Sequence, residues 1–262
     1  MASLGATPVT AFHHVFLSPH FDDAIGSCGG TMWRLSRRGY PVRVLTVFGG
    51  DEVLPLSEGA LRFHARAGNL RGVNERRIED GAACRVLGCT GDYLDYSDAI
   101  YRRGTHGHSL YNELQAVLRP MAPEDAGLAG TIANNVTDRF SLATSVIYCP
   151  MAIGHHVDHV ATRDCGRVLL ERGANVVFYE DFYHSEKSRG SADNRPIHRY
   201  TVSLSKVELA KKLSAFSKYK SQVKLLFGRP GNLRVYFDRH GKDERFASSQ
   251  EPALKIFEAA LS

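Results

Sequence analysis

Apolar residues along this chain come in short β-branched runs that alternate with stretches of helical spacing. Val15, Phe16 and Leu17 form one run, ended by Ser18 and Pro19, which predicts a buried strand. After a polar turn at 20–23, Ile25, Cys28, Met32 and Leu35 recur at helical intervals up to Gly39, so 24–38 is predicted to be a helix. Residues 42–48 are again apolar and β-branched and predict a second strand. Strand, helix and strand in that order make a βαβ unit, which implies parallel pairing through a right-handed crossover.

The alternation continues downstream. Helices are predicted over 75–87, closed by Gly88, over 110–118 ahead of Pro120, and over 162–172, closed by Gly173. Strands are predicted over 145–149, ending at Pro150, and over 176–179. Ser205-x-x-Glu208 has the form of a capping box and starts a helix expected to run to 227, with Leu209, Leu213, Phe216 and Val223 on one face. Lys211, Lys212, Lys218, Lys220 and Lys224 are assigned to its solvated face. Two stretches, 49–74 and 186–195, have little periodicity and many Gly and polar residues, and are expected to be loops over a site. With no repeat or linker in view, the pattern predicts one α/β domain over 1–262, built on a mostly parallel sheet.

Composition narrows the function. At 262 residues, with 43% hydrophobic and 23% charged, the chain has ordinary globular usage. The formal charge of +5 is spread over many Arg without a basic run or recognition module, so no nucleic-acid partner is expected. Five cysteines without a CxxC pair suit a reducing compartment. No apolar run approaches the roughly 20 residues of a membrane span, and the N-terminal residues lack the pattern of a secretory signal. A soluble, cytoplasmic protein is the expectation.

In parallel α/β sheets, sites form at the carboxyl ends of strands. Two clusters of metal-capable side chains lie there: His20, Asp22 and Asp23 after the first strand, and His155, His156, Asp158 and His159 after the strand at 145–149. His20 and Asp23 can converge on one ion, and His156 and His159, three apart on a helical turn, share a face. One of the latter can complete a three-ligand catalytic zinc set while the other points at substrate. Asp22 is left beside the metal to move a proton, and Asp158 can orient a histidine ring. A His-x-x-Asp turn alone is more often a helix-start arrangement; two such clusters at strand ends of one chain favour a metal. A dinucleotide enzyme would want a Gly-rich turn after the first strand, which is absent. No cysteine has a visible activating partner. A metal-dependent phosphoesterase and a non-catalytic sugar-binding module stay open as alternatives.

Ser18-Pro19-His20-Phe21-Asp22-Asp23 with Gly29-Gly30 resembles the PHxDD signature of the PIG-L/LmbE-like family of zinc-dependent N-acetylglucosaminyl deacetylases. His156-Val157-Asp158-His159-x-Ala161-Thr162-Arg163 resembles its second signature. Arg76-x-x-Glu79, Leu94-Asp95, Asp98-Ala99-x-Tyr101-Arg102 and Tyr219-Lys220-Ser221-Gln222 are similar to further family segments, so the likeness spans about 13–230. It implies a Rossmann-like three-layer fold with the metal site at the carboxyl ends of the strands. The implied reaction is hydrolysis of an N-acyl group, expected to be acetyl, from an amino sugar or glycoconjugate. It also implies one Zn2+ per chain held by His20, Asp23 and His159, with Asp22 as general base and His156 as oxyanion stabiliser or acid. Arg76 and Asp98 become expected substrate contacts, and a homo-oligomer is left open. Phe21 and Ala24 stand where many members have Pro and Glu. Tyr179-Glu180-Asp181-Phe182-Tyr183 lacks the family's proline, a change expected to bear on the substrate.

Overall fold

In this computed structural model, which describes residues 12–68, 72–113, 115–182 and 198–262, the strands form one sheet. The strands β1 (His13–Ser18), β2 (Val42–Thr46), β3 (Thr90–Tyr93), β4 (Ser145–Pro150) and β5 (Asn175–Tyr179) pair in parallel in the order β3-β2-β1-β4-β5. β6 (His198–Ser203) and β7 (Asp243–Ser248) extend the far edge, with β7 antiparallel to both β5 and β6. The chain order reverses between β1 and β4. At such a switch point the connections leave in opposite directions and open a crevice beyond the strand ends.

Helices cover both faces. α1 (Asp23–Arg37) joins β1 to β2; α2 (Glu58–Arg66) and α3 (Val73–Leu87) lie between β2 and β3. α4 (Leu128–Arg139) precedes β4, and α5 (Val157–Glu171) joins β4 to β5. Successive strand residues point to opposite faces. Phe16, Val44 and Tyr148 therefore pack with α1, α3 and the C-terminal helices, while Val15, Leu17, Leu45 and Ile147 pack under α4 and α5. Those C-terminal helices are α6 (Lys206–Phe216), α7 (Lys220–Phe227), α8 (Pro230–His240) and α9 (Glu251–Leu261). The small residues of α1 permit close packing: the Phe182 ring lies 2.7 Å from where a Cβ on Gly26 would sit. No helix among the described residues is long and apolar enough to cross a membrane.

The expected βαβ start, the parallel sheet and the Ser205–Glu208 capping box are all present. Several expectations need correction. Of 110–118, only Ala116–Leu118 forms a single 3-10 turn. Leu110 instead bonds back to the Arg102 carbonyl, and Tyr111 and Val117 fill a small core with Ala99 and Val157. Residues 49–74 are not all loop, because Ser57 caps α2 by accepting from the Ala60 amide. α5 begins at Val157, earlier than 162, which makes His156 its N-cap and puts His159 in its first turn.

The long helix expected to run to 227 is broken after Phe216. Tyr219 turns inward to donate to Asp80, 2.6 Å away, and the Ser221 hydroxyl donates to Glu79. Lys212 is not on the wet face. It is buried, 2.8 Å from Glu244 and donating to the Ser27 carbonyl at 3.0 Å. The stretch 186–195 lies outside the described residues.

Candidate metal centre

His20 leaves the end of β1 in a turn tied by Ser18, whose hydroxyl donates to the His20 carbonyl and accepts from the Ala24 amide at 2.9 Å. The carboxylate of Asp23, the first residue of α1, folds back to accept the His20 amide at 2.8 Å. Its Oδ2 then lies 3.1 Å from His20 Nδ1 and 3.2 Å from His159 Nε2. His159 comes from the first turn of α5, across the switch point. Three donor atoms from two strand ends thus converge.

The opposite ring nitrogens are both held by carboxylates. His20 Nε2 meets Asp158 Oδ2 at 3.0 Å, and His159 Nδ1 meets Asp181 Oδ1 at 2.6 Å. This is the arrangement by which metal-ligating histidines are usually oriented: the outer N–H is fixed on a carboxylate and the inner nitrogen keeps its lone pair.

Charge points the same way. Asp22, Asp23, Asp98, Asp158 and Asp181 crowd the cluster, with Arg76 and Arg102 the cations among them. Burial alone would lower the His20 pKa, yet Asp98, Asp158 and Asp23 raise it well above the ordinary value. His159 is likewise lifted, against burial, to about 10 by Asp23 and Asp181. The cluster attracts positive charge, and His20, Asp23 and His159 fit a divalent cation in donor type and spacing. A second trio, His20, His156 and Asp158, is as close together, all within 4.8 Å. Its members are already committed: Asp158 is paired with Arg102 at 2.7 Å, and His156 Nδ1 accepts the Asp158 amide at 3.2 Å.

Asp22 occupies the N-cap of α1, where Asp ordinarily spends its carboxylate on backbone amides. Here the side chain makes no capping bond. It is buried, with Arg76 Nη2 at 3.6 Å. Burial first, and then the charge of Asp23, push its pKa up to about 6 in spite of Arg76. That is the range of a group able to take and return protons near neutrality.

His156 caps α5 through Nδ1, so in the neutral ring the proton sits on Nε2. Burial and the neighbouring His20 charge hold its pKa well below the ordinary value, which favours that neutral donor. The turn before it is strained, with Ala152 at φ 61° and His155 at φ 59°. Asp181 Oδ2 steadies this turn by accepting the Ile153 amide at 3.0 Å.

Arg76 and Asp98 both join the cluster. Arg76 lies over the Phe21 ring at 5.0 Å and reaches Asp98 at 3.4 Å, while Asp98 lies 3.7 Å from His20. Sequence reasoning missed the roles of Asp181 and Arg102. Asp181 follows β5, and the strand-end rule that found the other two clusters was the signal for it.

Sheet, switch point and donor set make this a candidate divalent-metal site at the strand ends of an α/β fold. Residues 15–170 match the PIG-L family, described as GlcNAc-PI de-N-acetylase, and the chain belongs to that family. It is 29% identical over 237 residues to 2'-N-acetylparomamine deacetylase of Niallia circulans, which covers 84% of each chain. To the enzyme of the same name from Streptomyces fradiae it is 31% identical over 173 residues, 64% of this chain and 56% of that one. The zinc-inhibited form of teicoplanin deacetylase superposes with a TM-score of 0.79 at 27% identity, covering 90% of this chain and 97% of the other. The chain is a hydrolytic N-deacetylase, and the phosphoesterase alternative finds no counterpart among these relatives.

Proposed function

We propose that the protein removes the acetyl group from an N-acetylated amino sugar, with zinc as its metal, held by His20, Asp23 and His159. The observation that carries this is the convergence of His20 Nδ1, Asp23 Oδ2 and His159 Nε2 beside Asp22, a carboxylate unused in capping. When bound, the cation supplies Lewis-acid activation of water and of the acyl carbonyl. Asp22 accepts the proton that the attacking water gives up and returns it to the departing amine nitrogen. His156 donates its Nε2–H to the carbonyl oxygen as negative charge builds there. The C–N bond breaks, and water is divided between acetate and a free amine. Asp158 and Asp181 keep the two ligand rings oriented. Arg76 and Asp98 form the wall met by sugar hydroxyls.

The substrate we favour is a 2-acetamido sugar within an aminoglycoside-like pseudo-oligosaccharide. Two relatives named for N-acetylparomamine support this choice, one of them aligned over 84% of the chain. The test is acetate release from 2'-N-acetylparomamine, N-acetylglucosamine and an N-acetylated glycopeptide, using metal-stripped and zinc-restored protein. Zinc-dependent acetate release, greatest from the first substrate, is expected. A zinc-loaded protein that releases acetate from none of them refutes the reading.

A further inference from the structure

Asp158 is fully buried, and its carboxylate serves three donors. Oδ2 takes His20 Nε2 at 3.0 Å and the Ala99 amide at 2.9 Å, while Oδ1 takes Arg102 Nη1 at 2.7 Å. Arg102 belongs to neither metal-binding cluster. It sits in the segment after β3, and both Nη atoms of its guanidinium lie within ion-pair distance of carboxylates, while Nε is buried without a hydrogen-bond partner among the described residues. Nη1 also donates to the Ser97 carbonyl at 3.2 Å, and Nη2 pairs with Asp125 at 2.9 Å. The plane lies over Phe48 at 5.1 Å and over Tyr111 at 5.3 Å. Tyr111 in turn donates to Asp125 at 2.8 Å and accepts the Ala122 amide at 2.9 Å. A continuous chain of polar contacts therefore runs from Tyr111 through Asp125, Arg102 and Asp158 to His20.

We infer that Arg102 is a positioning residue for deacetylation: it fixes Asp158 so that His20 keeps its proton on Nε2 and turns Nδ1 to the metal. The inference rests on the assignment of His20 as a ligand. Geometry argues for it. A buried carboxylate with one oxygen free to rotate could present either oxygen, or neither, to the imidazole. The planar fork of Arg102, wedged between two rings and anchored on Asp125, removes that freedom. A lysine would carry the charge as a single point and could not span both carboxylates in one plane. With Arg102 gone, Asp158 is left with an uncompensated charge and a mobile Oδ1, and the His20 ring loses its orientation.

The test compares Arg102→Gln, Arg102→Lys and Asp181→Asn with wild type. Zn2+ affinity is measured by chelator competition, and the Co2+-loaded proteins are examined by proton NMR. Wild type should give two exchangeable, hyperfine-shifted imidazole N–H signals, one each from His20 and His159. Arg102→Gln should weaken Zn2+ binding about 10–100-fold and selectively broaden the His20 signal through solvent exchange. Asp181→Asn should affect the other signal. Arg102→Lys, which keeps the charge and guards against a failure to fold, should show the same selective loss as Arg102→Gln. A folded variant at Arg102 with wild-type Zn2+ affinity and both signals intact overturns the inference, as does equal loss of both signals. His20→Ala separates this from the underlying reading: full zinc occupancy in that variant would refute the ligand assignment itself.

Discussion

Lys212→Met is the substitution whose cost the structure lets one work out. The ammonium is buried against α1, 2.8 Å from Glu244 and 3.0 Å from the Ser27 carbonyl, and lies over the Phe237 ring at 5.7 Å. Glu244 is also buried and accepts the amides of Gly30 at 2.9 Å and Thr31 at 2.8 Å. Methionine fills most of the lysine volume, so packing changes little, but Glu244 is left as an unpaired buried anion. Breaking one side of such a pair costs about 3–5 kcal/mol. The two amides still solvate the carboxylate, which places the expected loss near the lower end, about 3 kcal/mol. For a chain of this size that is a fall in Tm of about 6–12 °C. Thermal melts and urea titrations of wild type and variant measure it. The double variant Lys212→Met/Glu244→Leu should recover most of the loss, because it removes both charges together. A single variant within about 1 kcal/mol of wild type, or a double variant no better than the single, would refute the picture of a buried pair tying α6 and β7 to α1.

Three further outcomes are expected. Asp22→Asn should keep its zinc by metal analysis and lose about 10²–10⁴-fold in kcat, since only proton transfer is removed; zinc lost along with activity would count against its role as the base. His159→Ala should lose zinc, and full occupancy after dialysis would end its ligand assignment. The last concerns acid stability. The Arg34 guanidinium, 2.5 Å from Glu208, and the Ser205 amide hold the Glu208 carboxyl near 2, below its ordinary 4.5. This depressed pKa contributes stability that is complete above pH 4.5 and drains as pH falls toward 2. Glu208→Gln should flatten that limb in stability measured against pH, and an unchanged acid limb would contradict it.

What could be read from the chain alone was whatever is encoded within a few residues. The β1–α1–β2 unit shows in run length and helical spacing, and the Ser205–Glu208 capping box involves residues three apart. His20 and Asp23, and likewise His156 and His159, are spaced by a single turn, so their convergence is also local. That is why the two candidate clusters could be named before any coordinates, whereas the choice of His159 over His156 as the proposed ligand came from the family resemblance. Other features depend on partners far away in sequence. Asp181 lies 22 residues beyond His159, Arg102 lies 56 before Asp158, and Lys212 meets a carbonyl 185 residues upstream. The lysine fell at a position that helical periodicity assigns to solvent, and only the packing of α6 onto α1 buries it beside Glu244. Tyr219 and Ser221 break a helix that propensity would continue, because Asp80 and Glu79 on α3 accept their hydroxyls. Local periodicity governs which elements form. Which side chains become the buried charges that hold the proposed metal ligands in place is decided only when distant elements pack and exclude water, since an unpaired charge there would be too costly to keep.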